Sequence, residues 1–183
     1  IFSKKINIDC AQCFGLKKSL DILRQDHYEL LNTEKLTPIH GDLTFENILY
    51  NGKDIKLIDC DGSDNYDAKL LDFGKLLQSI ISQYEIWSKV ESKLVNNVKN
   101  NYILNDKDIF KSNELIFDNI INSWADILND DIVNVKILGY YYMSLHLIRM
   151  IPFRQKVSND QATYAAVTAV KYLNICISRL KAG

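Results

Sequence analysis

Apolar side chains recur every three or four residues along most of the chain, which predicts a domain built mainly from α-helices. From Leu70 onward they occupy one stripe of a helical surface. Leucines between residues 16 and 32 form an earlier stripe, which Pro38 ends because proline favours an extended residue before it. Ser158, followed three residues later by Gln161, has the capping-box pattern of a helix start. The predicted helices cover 16–32, 70–84, about 108–128, 131–151 and 158–181.

Two short apolar stretches near the middle of the chain predict a β-hairpin. They are Ile48–Tyr50 and Ile55–Ile58, and the residues between them begin with Asn51-Gly52, a pair that supplies the positive φ angles of a tight turn. The segment from 91 to 107 is rich in lysine and asparagine and predicts a solvated helix end and a loop. The expected fold class is therefore α+β, mostly α, with a helical bundle around one hairpin.

Composition and charge narrow the class of protein. The chain has 183 residues, 47% of them hydrophobic and 25% charged, which predicts a single domain over 1–183. Its 22 basic and 23 acidic residues give a formal charge of -1, so we expect a small-molecule partner, no nucleic acid and no membrane. The absence of a bilayer-length apolar run and of signal-peptide features predicts a cytoplasmic location. Cys10 and Cys13 have C-x-x-C spacing, but no second pair follows at zinc-finger distance, and reduced thiols are expected.

Three oxygen-bearing side chains lie on and beside the predicted hairpin. Asp42 is on the loop before it, Asn47 is at the start of its first strand, and Asp59 is at the end of its second. Phosphoryl transfer needs such a set, namely a carboxylate that orients and deprotonates a hydroxyl group and oxygen ligands for the Mg²⁺ on the nucleotide phosphates. Each residue alone also has a structural interpretation, because Asp and Asn are common in turns. Asp61 is a candidate for a second metal contact or for a turn cap.

The residues of this segment follow the pattern H-G-D-x-x-x-x-N and then a hydrophobic strand that ends in I-D. The matching positions are His40, Gly41, Asp42, Asn47, Ile58 and Asp59. The chain here resembles the aminoglycoside phosphotransferase and choline kinase superfamily, which has a protein-kinase-like fold, and the resemblance covers roughly 16–183 and only the C-terminal lobe. The resemblance implies that Asp42 is the catalytic base and that His40 braces the catalytic loop. It also implies that Asn47 and Asp59 are ligands of Mg²⁺, and that they thereby bind the ATP cofactor.

A second acid is expected to support the catalytic loop. In this superfamily an Asp of a later helix helps to hold the loop, and Asp72 resembles it, with Asp67 as the competing candidate. Asp72-Phe73-Gly74 also spells the metal-binding triplet of protein kinases, but it lies inside a helical pattern well past the hairpin. The metal ligand is therefore assigned to Asp59.

Residues of the C-terminal helices are candidates for substrate contacts or for the core. Arg149 and Arg154 follow an aromatic helix that in the superfamily would lie near the acceptor pocket, so they are candidates for clamping an anionic substrate or a sugar phosphate. Surface or interhelical salt bridges are the alternative. His146 is expected to be a core histidine, and Trp87 and Trp124 are expected in the core.

The ATP-binding half of a kinase is not visible in the sequence, because it has neither a glycine-rich loop nor a strand lysine paired with a helix glutamate. Only 39 residues precede His40, so we expect the N-terminal ATP-binding lobe to be absent from this chain and the chain alone to be inactive. The resemblance implies transfer of the γ-phosphate of ATP to a hydroxyl group of a sugar, amino alcohol or aminoglycoside-like molecule. The segment 67–87 is similar to phosphotransferases found with surface-polysaccharide genes. The alternatives are a non-catalytic, pseudokinase-like binding module and a helical interaction domain with a coincidental motif.

Overall fold

Six α-helices form most of the part of the chain that the structure describes. A computed structural model of the chain describes residues 5–9, 11–26, 36–60, 66–89, 93–99, 101–104 and 114–181. The helices are α1 (Leu16–Asp26), α2 (Lys69–Ile80), α3 (Tyr84–Trp87), α4 (Glu114–Leu128), α5 (Ile132–Gln155) and α6 (Asn159–Leu180). The predicted class, α+β and mostly α, is confirmed. None of the helices in these ranges combines the length and the apolar character needed to cross a bilayer.

The helix starts follow from capping side chains. Asp131 precedes α5, and its carboxylate accepts hydrogen bonds from the backbone N–H groups of Val133 and Asn134. Ser158 precedes α6 and accepts from the backbone N–H of Gln161, as the capping-box pattern predicted. The side chain of Gln161 instead donates to the carbonyl of Ser88 at 3.0 Å, which joins the start of α6 to the end of α3.

Helix α5 continues to Gln155, beyond the predicted end at 151. It passes through Pro152, which cannot donate the main-chain hydrogen bond of its turn, and continues for three more residues. The first and third predicted helices are confirmed over 16–26 and 114–128, while 27–32 and 108–113 lie outside the described residues.

Helices α2 and α5 pack closely enough to require a glycine. A Cβ atom on Gly74 would lie 2.7 Å from the backbone carbon of Tyr142. His146 of α5 adds a polar tie, because its Nε2 is 2.9 Å from the carbonyl oxygen of Leu71 in α2. His146 is buried and hydrogen-bonded, as predicted for a core histidine. The close packing fixes the position of α2, which carries Asp72, an acid that contacts the loop of residues 39–47.

Both tryptophans belong to the helical packing. Trp87 is buried, and Trp124 stacks on buried Phe73 with ring centroids 4.5 Å apart. Helix α5 packs against α2, α4 and α6, so it forms the centre of the bundle. The large side chains that are fully buried on these helices include Phe73, Leu77, Ile80, Ile121, Ile137, Met143, Leu147 and Leu173.

The predicted loop at 91–107 is wrong where the structure describes it, because it contains two strands. Strands β1 (Ile6–Ile8), β2 (Ala11–Cys13), β7 (Val95–Val98) and β8 (Asn101–Leu104) form one sheet in the order β2-β1-β8-β7. Strands β1 and β8 are parallel, whereas the other two pairs are antiparallel. Tyr102 and Leu104 give β8 a buried apolar face despite its polar first residue, and Val95 is the buried residue of β7. Cys13 is a buried free thiol, and Cys10 lies outside the described residues.

The predicted hairpin is confirmed as strands β4 (Ile48–Tyr50) and β5 (Ile55–Leu57). They pair antiparallel, with Ile48 opposite Leu57 and Tyr50 opposite Ile55. The side chain of Asn51 accepts from the backbone N–H groups of Lys53 and Asp54, and Gly52 has a φ of +94°, which suits a glycine in the turn. A second small pair, β3 (Thr37–Pro38) with β6 (Tyr66–Asp67), precedes α2.

Candidate active site

The loop of residues 39–47 joins β3 to β4 and is held in part by its own backbone hydrogen bonds. Gly41 has a φ of 86°, a conformation that favours glycine. The backbone N–H of Thr44 donates to the carbonyl of Asp42 at 2.8 Å, and a short 3-10 helix, Phe45–Asn47, leads into the hairpin. These turns project the side chain of Asp42 away from the loop, so that it is 47% exposed.

Asp72 fastens this loop to α2. One carboxylate oxygen accepts from the backbone N–H of His40 at 2.6 Å, and the other accepts from that of Gly41 at 2.8 Å. Asp72 is only 8% exposed, and hydrogen bonds to a charged acceptor are stronger than neutral ones. Asp67, the competing candidate, accepts instead from the backbone N–H of Ala68, directly before α2. Asp72 is therefore the acid that contacts the loop.

His40 connects the loop to the second strand of the hairpin. Its Nδ1 lies 3.3 Å from the backbone N–H of Asp42, and its Nε2 lies 2.9 Å from the carbonyl oxygen of Ile58. An amide N–H only donates and a carbonyl only accepts, so Nδ1 is the acceptor and Nε2 carries the proton. The ring is buried and both nitrogens are occupied, which is the arrangement of a brace and not of a proton shuttle.

Asp42 contacts both Asn47 and a lysine that the sequence did not single out. The Asn47 side-chain nitrogen donates to the Asp42 carbonyl at 2.8 Å and lies 3.3 Å from its Oδ2. Lys75 Nζ forms an ion pair with Asp42 Oδ1 at 2.6 Å, and only 12% of the lysine side chain is exposed. Lys75 lies one helical turn after Asp72, so both face the loop from the same side of α2. This i, i+3 spacing is the signal in the sequence that could have identified Lys75.

Asp42 stands between two cavities. The first has a volume of about 480 Å³ and is lined by Asp42, Asp59 and Arg149, together with Gly41 and Cys60. Asp59 is exposed at the end of the hairpin and has a φ of 55°, in the left-handed region that Asp adopts more readily than most residues.

The second cavity has a volume of about 320 Å³ and is lined by Asp42, Asn47, Lys75, Tyr84 and Arg154, among others. Asp59 therefore borders the first cavity and Asn47 borders the second. Of the predicted site residues, Asp42 is the one that lines both cavities. The structure brings Asp42 and Asn47 into direct contact and places Asp59 and Arg149 in the lining of the first cavity. Asp61 lies outside the described residues.

The two arginines that sequence reasoning identified border different cavities. Arg149 is exposed beside Asp59, whereas Arg154 is half-buried beside Tyr84. Over the described ranges, neither guanidinium forms an ion pair with a carboxylate. The positions of the two arginines therefore do not support the alternative that they form salt bridges. Tyr84, which the sequence analysis did not single out, contacts Arg154 through its ring and its hydroxyl group.

The donor chemistry of Asn47 and Asp59 fits Mg²⁺ if a nucleotide supplies further ligands. The Asn47 nitrogen donates to Asp42, which leaves the amide oxygen as the atom for a cation, and Asp59 offers an exposed carboxylate. Mg²⁺ binds oxygen and commonly uses one or two protein side chains together with substrate phosphates. Within the described segments, no cluster of three His, Cys, Asp or Glu side chains could hold a metal by itself. The residues thus fit a metal that arrives with the nucleotide.

His146 lies behind Lys75 and does not serve the site as a titrating group at neutral pH. Burial, followed by the positive charge of Lys75, lowers the pKa of the imidazole to about 4. The ring is therefore neutral at pH 7.

Comparison of the chain with protein-family models, with curated proteins and with solved structures gives no match.

Proposed function

We propose that this chain is the catalytic and acceptor-binding lobe of an ATP-dependent phosphotransferase with a protein-kinase-like fold, which transfers the γ-phosphate to a hydroxyl group of a small molecule. The observation that carries the proposal is the loop at Asp42. Its backbone is held by both oxygens of Asp72, its histidine is bonded to the hairpin, and its aspartate faces two cavities. A base on a loop fixed at three points meets the positional demand of phosphoryl transfer.

Asp42 is the proposed general base. Its half-exposed carboxylate can accept a hydrogen bond from the acceptor hydroxyl and take its proton as the oxygen attacks the γ-phosphorus. Lys75 and Asn47 each hold one side of the carboxylate, so its orientation is set before substrate binds. A carboxylate has about four lone-pair directions, and these two contacts leave room for the hydroxyl.

Asn47 and Asp59 are the residues proposed to hold the Mg²⁺ that accompanies ATP, although they line different cavities that share Asp42. When bound, this cation neutralises charge on the nucleotide phosphates. Arg149 borders the same cavity as Asp59 and adds positive charge on the side where the phosphates would lie. The residues that grip the rest of the nucleotide are proposed to belong to a part of the protein outside this chain.

The test is Asp42→Asn in the longest natural form of the protein that contains this chain, with ATP, Mg²⁺ and a panel of sugars, amino alcohols and aminoglycosides. Removal of a general base lowers kcat by about 10² to 10⁴. The matched control is Asp54→Asn, the same chemical change on the exposed hairpin turn. If Asp42→Asn keeps the turnover of the control, Asp42 is not the base and the proposal fails.

A non-catalytic binding module is the second candidate, and the ion pair between Lys75 and Asp42 favours it. A base already bound to a lysine at 2.6 Å has one oxygen occupied. On this alternative no acceptor is phosphorylated, whereas Mg²⁺-dependent nucleotide binding persists. If the protein phosphorylates an acceptor and Asp42→Asn abolishes that turnover, the binding-module alternative is excluded.

A further inference from the structure

The cavity beside Asn47 holds two carboxylates, and each is already paired with a lysine. Asp42 pairs with Lys75 at 2.6 Å, and Glu46 pairs with Lys89 at 2.6 Å. The two pairs cancel in charge. Arg154 also lines this cavity, and it forms no ion pair within the part of the chain that the structure describes. Arg154 is therefore the charge in this cavity that no carboxylate of the described residues compensates.

The guanidinium of Arg154 is held by aromatic rings and not by an anion. Its central carbon lies 4.9 Å from the ring centre of Tyr84 and 5.7 Å from that of Trp87. An NH2 group of Arg154 also donates to the hydroxyl oxygen of Tyr84. These contacts fix the plane of the guanidinium, so little rotamer freedom remains to be lost when a ligand binds.

Tyr84 supplies a second donor at the same place. Its oxygen accepts the hydrogen bond from Arg154, which leaves its own O–H to donate, and its side chain lines the cavity. A guanidinium and a phenol that both present donors, with no anion between them, make a preformed site for a carboxylate or a phosphate group.

The geometry points to an acceptor that carries an anionic group as well as the reacting hydroxyl, with Arg154 and Tyr84 binding the anion while Asp42 faces the hydroxyl. The assignment of the ligand as an acceptor rests on the proposed function, whereas the anion site itself does not. Asp42 and Arg154 line one cavity of about 320 Å³, so one small molecule can contact both.

The test titrates the chain with inorganic phosphate, and in a second arm with acetate, while the backbone amide and arginine Nε–H signals are followed by NMR. We expect the Arg154 signal to shift with phosphate, with acetate or with both. A shift with phosphate alone indicates a phosphate site, and a shift with acetate alone indicates a carboxylate site. Arg154→Gln should weaken binding about 10- to 100-fold, as expected for loss of a charge-assisted hydrogen bond. Arg179→Gln is the matched control, because it removes the same charge from an arginine that also packs on a tyrosine ring, 5.5 Å from the ring centre of Tyr140, but lines neither cavity.

Asp42→Asn separates this inference from the proposed function. It should abolish turnover if Asp42 is the base, yet it should strengthen phosphate binding, because Lys75 then loses its counter-ion. Tyr84→Phe removes the phenolic donor and also the oxygen that accepts from Arg154. It repeats the test if Arg154→Gln fails to fold and should weaken phosphate binding severalfold. If Arg154→Gln binds phosphate as tightly as the native chain, the inference is overturned. The same holds for Tyr84→Phe if it is used because Arg154→Gln does not fold. Equal loss in Arg179→Gln also does so.

Discussion

Replacing Asp72 by asparagine should destabilise the protein and release the loop of residues 39–47. In the native chain both oxygens of the buried carboxylate accept backbone N–H groups, from His40 at 2.6 Å and from Gly41 at 2.8 Å. Asparagine has one acceptor oxygen, so its NH2 group must face one of these N–H donors. The variant loses one hydrogen bond to a charged group, leaves one buried donor unsatisfied and weakens the other bond, for a total of about 3 kcal/mol.

Urea unfolding followed by tryptophan fluorescence measures this loss, because Trp87 and Trp124 are both packed in the helical bundle. With a denaturant slope of about 2 kcal/mol per molar urea, the midpoint should fall by about 1 to 2 M. Hydrogen exchange adds a local readout, since the amides of His40 and Gly41 should lose protection beyond the global change in stability.

Asp67→Asn is the control for Asp72→Asn, because its exposed carboxylate accepts one hydrogen bond directly before the same helix. Its effect should stay below about 1 kcal/mol. A loss under about 1 kcal/mol in Asp72→Asn, with exchange at positions 40 and 41 unaltered, would refute the view that this acid fixes the loop.

Two other changes test the packing beneath the site. The folded-state pKa of His146, about 4, is below its unfolded value of about 6.5, so the unfolded chain binds the extra proton as the pH falls. Protonation of this group should lower the free energy of unfolding by about 3 kcal/mol between pH 6.5 and 4. A His146→Gln variant can still donate to the carbonyl of Leu71, and its stability in urea titrations should depend less on pH. Parallel stability curves for the two proteins would contradict this. Gly74→Ala should destabilise by about 1 to 3 kcal/mol, because its Cβ would lie 2.7 Å from the backbone carbon of Tyr142. In Gly139→Ala the nearest atoms are the ends of the Leu77 and Phe73 side chains, so calorimetric melting should show a smaller loss for this variant. The reverse order would contradict the view that the backbone contact at Gly74 yields less than the side-chain contacts at Gly139.

Elements with a strong local pattern were predictable from the sequence. The apolar stripe from Leu70, the capping residue Ser158 and the Asn51-Gly52 turn each specify their structure through residues a few positions apart. Strands β7 and β8 were not predicted, because each has only four residues, many of them polar, and β8 pairs with β1 from the other end of the sequence. Non-local pairing of this kind leaves little trace in a window of local sequence.

The same division applies to the candidate site. The sequence alone determined which acids and amides surround the hairpin, since Asp42, Asn47 and Asp59 follow one another at fixed spacings within a short segment. Only the tertiary structure decided which cations meet them. Lys75 reaches Asp42 because α2 is fixed against α5, and Arg154 faces the cavity because its guanidinium packs on aromatic residues of α3. Charges on different helices act together through distance in space, which the order of residues along the chain does not encode.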